Sequence, residues 1–391
     1  MCYNDDMKKL PGHIDWPWWR AVGTMIGGVV GVGVFGLPFA FAQSGWALGL
    51  VFLLIIGFLL LFLNLMYAEV VSQTSGKHRL AGYVKKYLGK IPGHFAAIIF
   101  IFYVWGAMLA QMLIGGDFLF RLVSPIFGGP IIIYQIFVAV LVSALTFRGL
   151  KKLAKIEFFI ICALLFLFAF ITLVALPSID WSNISSFHLA NWFIPYGVIF
   201  FAFSGLGVIP EMKDVLSNKG REKNLAHAIL TGQIIILFLY AIFTFAVVGI
   251  TGSATTQAAF DGLASVFGQT FAVIGSLFGL ITVISIFSVV SMETQNIFHL
   301  DYHWPQKISW ALASFVPVGL LFLGIKEFVG LVGFLGGVFG GLIGLLVIAV
   351  YEKMRHNVFF KTHHCLNVPR PLVWLLVMIF VGGIVQTIFS L

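Results

Sequence analysis

Charged residues are scarce in this chain of 391 residues. Only 10% of them are Asp, Glu, Lys or Arg, whereas 60% are hydrophobic, and the mean hydropathy is +1.04. A soluble globular chain has about 45–50% apolar and about 25% charged residues, so the composition excludes a water-soluble domain. We expect one integral membrane domain over residues 1–391.

Several features of other protein classes are also missing. The three cysteines, Cys2, Cys162 and Cys365, are scattered, so they form neither a disulfide framework nor a zinc-binding spacing. The first twenty residues have no apolar core, and we expect no signal peptide. No glycine-rich phosphate loop of the Walker type occurs, which argues against an ATP-driven pump. No reactive side-chain cluster lies at membrane depth, so we expect neither an enzyme nor a bound cofactor.

Long hydrophobic runs are abundant. Apolar stretches of about 17 to 25 residues, each able to cross a hydrocarbon core of about 30 Å as a helix, recur along the chain. Strands of alternating polarity are absent, so the predicted fold is an all-α integral membrane bundle. The eleven predicted spans are 21–42, 46–72, 95–123, 130–147, 156–177, 191–212, 226–250, 269–298, 307–324, 328–351 and 371–390.

The basic residues predict the orientation of these spans. If the N-terminus is cytoplasmic, all of the 23 Lys and Arg residues except Arg121 and Lys326 lie in cytoplasmic segments, as the positive-inside rule requires. The C-terminus is then outside, in a multi-pass protein of the cell (plasma) membrane. This pattern, facing anionic membrane lipid, accounts for the net charge of +8, and we expect no nucleic-acid partner.

Two of the predicted spans have a sequence that is unfavourable for a continuous helix. Residues 23–38 of the first span hold six glycines and Pro38, and residues 203–211 of the sixth hold two glycines and Pro210. Each interior glycine weakens a helix by roughly 0.5–1 kcal/mol, and proline removes a backbone donor. Helices 1 and 6 are therefore predicted to break at mid-membrane.

These interrupted spans occupy corresponding positions in two five-helix halves that enter the membrane from opposite sides. The sequence thus predicts a 5+5 inverted repeat, at about 21–177 and 191–351, with an extra helix at 371–390. Matched broken helices are typical of the central site of a secondary transporter. The N–H groups freed in span 1 suit an anion and the carbonyls freed in span 6 suit an ammonium group, as in a zwitterion. The alternative is that the glycines only allow close helix packing.

Three stretches resemble a known family. The sequence GVGVFGLPFAFAQSGW at 31–46 looks like the first-helix signature of the amino acid/auxin permease family, FAFSGLGVIP at 201–210 is similar to that family's sixth helix, and LIGGDFL at 113–119 to its third. The resemblance implies the leucine-transporter fold and amino acid symport coupled to protons or sodium. An ion-independent exchanger on the same fold stays open, as does, in a different class, a membrane channel.

The resemblance also implies a substrate site at the two breaks. The substrate carboxylate would lie on backbone N–H groups of helix 1, and its amine would lie on carbonyls of helix 6. The positions concerned are Gly31, Val32, Gly33, Phe203, Ser204 and Leu206. In the third span, Trp105 and Met108 are candidates for lining the side-chain pocket, unless they pack against lipid or neighbouring helices.

A sodium site is implied as well. Its ligands would be the carbonyls of Gly27 and Val30 and the side chains of Ser285 and Ser288. Sodium-coupled members of the family often carry Asn where this chain has Gly27, so one side-chain ligand is missing and proton coupling stays open.

Two polar features lie outside the predicted spans or at their ends. Residues 251–268 contain no Lys or Arg and are too polar to cross a membrane, which predicts a structured outer loop or lid. Glu211 follows Pro210 beside a basic loop, where it is either a helix-end charge in water or part of a gate.

Overall fold

The computed structural model describes residues 16–76, 78–147, 166, 168–174, 176–217, 224–356 and 368–390. Most of these residues are helical. The longer helices, numbered in chain order, are α1 Trp16–Val29, α2 Gly33–Ser44, α3 Trp46–Gln73, α4 Leu80–Leu88, α5 Lys90–Phe127, α6 Ile131–Phe147, α7 Ile194–Ala202, α8 Ile209–Ser217, α9 Leu225–Thr251, α10 Phe260–Phe267, α11 Gln269–Asn296, α12 Gln306–Leu321, α13 Phe328–Phe334, α14 Gly341–His356 and α15 Arg370–Phe389. Two π-helical segments, Ile297–Asp301 and Leu335–Gly340, extend α11 and join α13 to α14.

The described residues contain seven helices that are long and apolar enough to cross a membrane, or eight when the bent pair α1 and α2 counts as one span. The remaining predicted spans are not confirmed. The span at 130–147 corresponds to α6, which is apolar but has 17 residues, and the span at 307–324 corresponds to α12, which has 16. Most of the span at 156–177 lies outside the described residues. The count of eleven therefore stays a prediction.

The helices differ in how much of their surface is inside the bundle. In the most apolar window of α5, 72% of the residues are buried, against 39% in α3 and 28% in α15. The outward-facing residues of α3 are nonetheless apolar, and Val51, Leu54, Ile55 and Phe58 are about half exposed. A contiguous apolar surface of this kind is suited to lipid rather than to water.

The bundle core is built on the pairing of α5 with α11. Glycines allow this pair to approach closely: a Cβ at Gly115 would lie 2.9 Å from Val283 Cγ1, and Gly279 faces the ring of Phe118. Small residues at helix contacts let helices pack closely inside a membrane. The α5–α11 pair is therefore a closely packed part of the core.

The prediction of a structured loop at 251–268 agrees with the structure. The turn Gly252–Ala254 and the helix α10 lie in this segment. The side chain of Thr251 is hydrogen bonded to that of Thr255 at 2.6 Å, which ties the start of the segment together. The loop thus brings Phe260, the first residue of α10, to a fixed position over the bundle.

Candidate functional site

The first predicted span is broken between α1 and α2, whose axes differ by 59°. The Gly31 N–H donates to the Val29 carbonyl at 2.8 Å, which turns the chain. Among the described residues, no backbone hydrogen bond is donated by the N–H group of Val32 or of Gly33. The break therefore leaves two backbone donors at the start of α2, where the helix dipole also favours an anion.

The second broken helix is interrupted between α7 and α8. α7 ends at Ala202, and a single 3₁₀ turn, Leu206–Val208, precedes α8. The Leu206 carbonyl accepts a backbone N–H from the start of α8. The carbonyls of Phe203 and Ser204 accept no backbone hydrogen bond from another described residue, so this break offers backbone acceptors.

The two breaks lie against each other. A Cβ at Gly33 would lie 2.8 Å from Ala202 Cα, so the start of α2 meets the end of α7 at backbone distance. A Cβ at Gly205 would lie 2.5 Å from Val29 Cγ2 at the end of α1. Glycine is needed at both positions because a side chain would separate the chains. Donors of one break and acceptors of the other are thus brought to one region.

A tyrosine of α9, which the sequence reasoning did not single out, contacts both breaks. The Tyr240 hydroxyl lies 2.9 Å from the Ala202 carbonyl and 3.3 Å from the Val29 carbonyl. Tyr240 is fully buried, and its ring packs edge-on against Phe203 at 5.0 Å between centroids. The sequence holds no distinct signal for it, because the same helix also carries Gln233 and Thr244.

The space beside the first break is lined by neutral side chains. A Cβ at Gly31 would meet nothing closer than 3.8 Å, where Ile286 of α11 and the Val29 carbonyl lie. The ring of Tyr103 of α5 lies 5.9 Å from that of Phe201, and its hydroxyl is within hydrogen-bonding reach of the Ser204 side chain. Neither Tyr103 nor Ile286 was predicted from the sequence, because α5 and α11 are apolar on several faces.

The structure places Trp105 and Met108 in the packing between α5 and α11. The ring of Trp105 lies 6.0 Å from that of Phe298, and the Met108 sulfur accepts a hydrogen bond from Thr294 at 3.8 Å. Other aromatic residues of α5 lie nearer the second break: Tyr103 contacts Phe201 and Ser204, and Phe100 lines a cavity with Leu206 and Gly207.

The four candidate cation ligands lie on α1, the first break and α11. The carbonyls of Gly27 and Val30 accept no backbone hydrogen bond from another described residue. The Ser285 side chain is 4% exposed and its hydroxyl has no partner among the described residues, whereas the Ser288 hydroxyl donates to a carbonyl one turn earlier at 2.7 Å. No cluster of three His, Cys, Asp or Glu side chains suited to a metal occurs in the described chain, so a cation here would depend on neutral oxygens.

Three aromatic rings, the aromatic triad, pack together beside the start of α2. Phe35 of α2, Phe118 of α5 and Phe260 of α10 are fully buried, and their centroids lie 5.1 to 5.8 Å apart. The predicted lid segment thus contributes one of three rings that pack edge-on or tilted beside the first break.

An ion pair lies at the opposite end of the bundle from the aromatic triad. We call this the basic end because Arg79 and Lys213 lie there. Arg79 lies 3.6 Å from Glu211 of α8, and both side chains are partly exposed. A cavity of about 20 Å³, lined by residues including Tyr67, Gly207 and Glu293, lies between this pair and the second break. It has room for about one water molecule. The contact with Arg79 is compatible with the gate alternative for Glu211.

Comparisons with known proteins agree on a family and a fold. A family model described as "Transmembrane amino acid transporter protein" matches residues 16–389. An uncharacterized protein of Methanocaldococcus jannaschii is 26% identical over 293 residues, which cover 72% of this chain and 65% of that protein, just under two thirds of its length. Glutamine transporter 2 of Aliivibrio fischeri is 23% identical over 356 residues, covering 88% of this chain and 90% of the relative.

A solved structure shares the fold at low sequence identity. The crystal structure of MhsT in complex with L-phenylalanine aligns with a TM-score of 0.66 and 14% identity, over 97% of this chain and 100% of that one. At this identity the likeness concerns the fold alone.

Proposed function

The chain belongs to the transmembrane amino acid transporter family, and from this membership we propose that it is an amino acid symporter, a secondary active transporter that works by alternating access. It is an all-helical membrane protein with the leucine-transporter-like fold, not an enzyme, and the predicted resemblance is confirmed. The observation that carries the proposal is the contact between two broken helices, with free backbone donors on one side and free acceptors on the other.

The substrate is proposed to bind as a zwitterion between the breaks. Its carboxylate would accept from the N–H groups of Val32 and Gly33, and from Gly31 after that N–H leaves the Val29 carbonyl. Its ammonium group would donate to carbonyls at Phe203, Ser204 and Leu206; the Leu206 carbonyl would be shared, because it already accepts one N–H. The neutral side chains of Tyr103 and Ile286 favour an uncharged substrate side chain. Because one relative is named Glutamine transporter 2, glutamine is the first substrate to test.

The coupling ion is proposed to be a proton or sodium. The buried, unpartnered hydroxyl of Ser285 and the free carbonyls of Gly27 and Val30 support a cation position, with Ser288 as the fourth ligand. Glycine at position 27 supplies no side-chain oxygen, and this weakens the sodium alternative. We therefore expect transport to follow a pH gradient at least as well as a sodium gradient.

The topology is proposed from the charge pattern. Eleven spans in a 5+5 inverted repeat, with halves at 21–177 and 191–351 and the added helix 371–390, put the N-terminus in the cytoplasm and the C-terminus outside the cell membrane. The basic end would then be cytoplasmic, facing anionic lipid. The aromatic triad would close the outer end.

Reconstituted uptake tests the proposal. Purified protein in liposomes is given labelled glutamine under an imposed pH gradient, an imposed sodium gradient, or neither. Gradient-driven accumulation supports symport. Uptake that requires only an amino acid inside the vesicle would favour the ion-independent exchanger. Flux that never exceeds equilibration and does not saturate would favour a channel and contradict the proposal.

A thermal-shift screen against the twenty amino acids, with and without sodium, identifies the substrate independently of transport. A ligand that binds only the folded protein raises its stability by RT ln(1 + [L]/Kd), about 2.7 kcal/mol at a hundredfold excess over Kd. The absence of stabilisation by any amino acid would contradict the proposed site.

A further inference from the structure

The Tyr240 hydroxyl lies between the ends of two half-helices. It is 2.9 Å from the carbonyl of Ala202, the last residue of α7, and 3.3 Å from the carbonyl of Val29, the last residue of α1. A phenol carries a single proton. Ala202 is therefore the main acceptor, and Val29 receives the weaker share.

The position of this hydroxyl has an electrostatic reason. The carbonyls at a helix C-terminus have no partner within the helix and carry the negative end of its dipole. Two such ends that converge in a buried, low-dielectric region repel each other unless a donor lies between them. The Tyr240 hydroxyl supplies that donor.

We propose that Tyr240 is a positioning residue that holds α1 against α7 at the site, and that its bond to Val29 is the one released when the basic end opens. This inference rests on the proposed alternating access. The hydrogen bond between Tyr240 and the Val29 carbonyl would break in each transport cycle, while the hydroxyl stays bonded to the Ala202 carbonyl.

α7 and α1 are packed differently against their neighbours, as the release of α1 requires. α7 is fixed by contact at backbone distance, since a Cβ at Gly197 would lie 2.9 Å from Gly333 Cα of α13. α1 runs beside α9 with a side chain at the contact, since a Cβ at Gly232 would lie 2.8 Å from Met25 Cγ. The shorter bond of Tyr240 is to the fixed α7 and the longer bond is to α1.

The test uses accessibility of α1 and needs no transport. Cys2, Cys162 and Cys365 are replaced by serine, and Val22→Cys introduces one thiol on α1. Val22 is 1% exposed, and its carbonyl lies 3.7 Å from the Cβ position of Gly232, so it reports on the contact with α9. An impermeant maleimide is added to either side of proteoliposomes, and the alkylation rate is measured with Tyr240, with Tyr240→Phe and with a control substitution.

Tyr196→Phe is the matched control. The Tyr196 side chain is also buried and its hydroxyl also donates to a backbone carbonyl, that of Ile379, at 3.3 Å, but it contacts neither break. Tyr240→Phe is expected to raise the alkylation rate at position 22 about twofold to threefold from the basic end, because the stronger bond to Ala202 is kept in both forms and only the weaker share to Val29 favours the closed form. Tyr196→Phe is expected to leave the rate unchanged at a similar melting temperature.

A rescue separates the hydroxyl from the ring. A p-aminophenylalanine at position 240 keeps a donor at the same place, so it is expected to restore slow alkylation even if Tyr240→Phe is too unstable to purify from a given detergent. Equal rates in Tyr240→Phe and Tyr196→Phe, or no rescue by the amino analogue, would overturn the proposal. If a gradient drives uptake but alkylation does not respond to Tyr240→Phe, the proposed role of Tyr240 is wrong and the proposed symport stands. If alkylation responds but no gradient drives uptake, the role of Tyr240 stands and the proposed symport is wrong.

Discussion

The broken helices are held differently at their two ends. Away from the basic end, α2 meets α7 and α7 meets α13 at distances where only glycine fits, as at Gly33 and Gly197. At the basic end, α1 meets the turn before α8 through a side chain, since Gly28 faces Val208, and the side chains of Arg79 and Glu211, which form the described ion pair, are 37% and 45% exposed. Contacts between backbones cannot adjust without moving a helix, whereas side chains can change rotamer.

The difference indicates where the molecule moves. Packed interfaces tend to switch between discrete arrangements rather than deform continuously, so the tightly joined α2, α7 and α13 are expected to move as one body or not at all. α1 and α8 instead meet their neighbours through side chains such as Val208 and Arg79. The basic end is therefore expected to open by displacement of these two half-helices, with the breaks as hinges.

The largest effects are expected at the two glycines of the first break. Gly33→Val puts a side chain 2.8 Å from Ala202 Cα, so it should abolish uptake by displacing α2 and lower the melting temperature. Gly31→Val should also abolish uptake, but with a near-native melting temperature, because its Cβ meets nothing within 3.8 Å and fills only the proposed substrate space. Uptake assays and thermal unfolding of both variants measure the split. Wild-type uptake in Gly31→Val would remove the substrate from this position.

A second pair of substitutions compares the two halves of the second broken helix. Gly197→Ala on α7 meets the backbone of Gly333 and is expected to destabilise the protein by about 3 kcal/mol, the upper range for overpacking. Gly207→Ala, beyond the break, has Glu293 Oε2 at 3.9 Å as its nearest neighbour and should change stability by no more than about 0.5 kcal/mol. Chemical denaturation in detergent measures both. Equal losses of stability in the two variants would mean that the chain is packed as tightly beyond the second break as it is in α7.

The location of both breaks could be predicted from the sequence, and glycine rather than proline was the informative residue. Pro38 lies inside α2 and Pro210 is the second residue of α8, where the missing N–H has no helical partner to lose. The glycine runs at 27–33 and 205–207 coincide with the interruptions because glycine weakens a helix without fixing its backbone. Composition also sufficed for the all-helical membrane fold.

The side chains around the breaks could not be predicted. Tyr103 and Tyr240 lie in long apolar helices that carry other polar residues, and periodicity shows no direction for a helix buried on most sides, as α5 is. Trp105 and Met108 of the same helix are the residues predicted to line the side-chain pocket, but the contacts described for them are with α11 and the segment after it. The partner of Glu211, Arg79, lies 132 positions away in the sequence, and no local pattern relates the two.

A smaller effect is expected at the aromatic triad. Phe260→Leu keeps an apolar side chain but removes ring contacts with Phe35 and Phe118, which are worth about 0.5–1.5 kcal/mol beyond burial. We expect a stability loss of that order and faster alkylation of a thiol introduced by Phe35→Cys from the end opposite the basic one, measured in the cysteine-free background. If alkylation instead increases from the basic end, the triad does not close the end to which we assign it.

The smallest effect on stability is expected from the ion pair at the basic end. Exposed pairs contribute about 0–1 kcal/mol, so Arg79→Gln and Glu211→Gln should each leave the melting temperature nearly unchanged.

If the pair holds α8 in the closed form, the same small energy still shifts the equilibrium between closed and open forms by up to about fivefold. The alkylation rate of Val22→Cys from the basic end should rise by that factor in either variant. High salt screens the ion pair in the parent protein, so the difference in alkylation rate between parent and variant should be smaller at high salt. The double substitution Arg79→Gln with Glu211→Gln should give no further increase, since either single change already removes the attraction. Additive increases would mean that the two side chains act separately and that the 3.6 Å contact is not a gate.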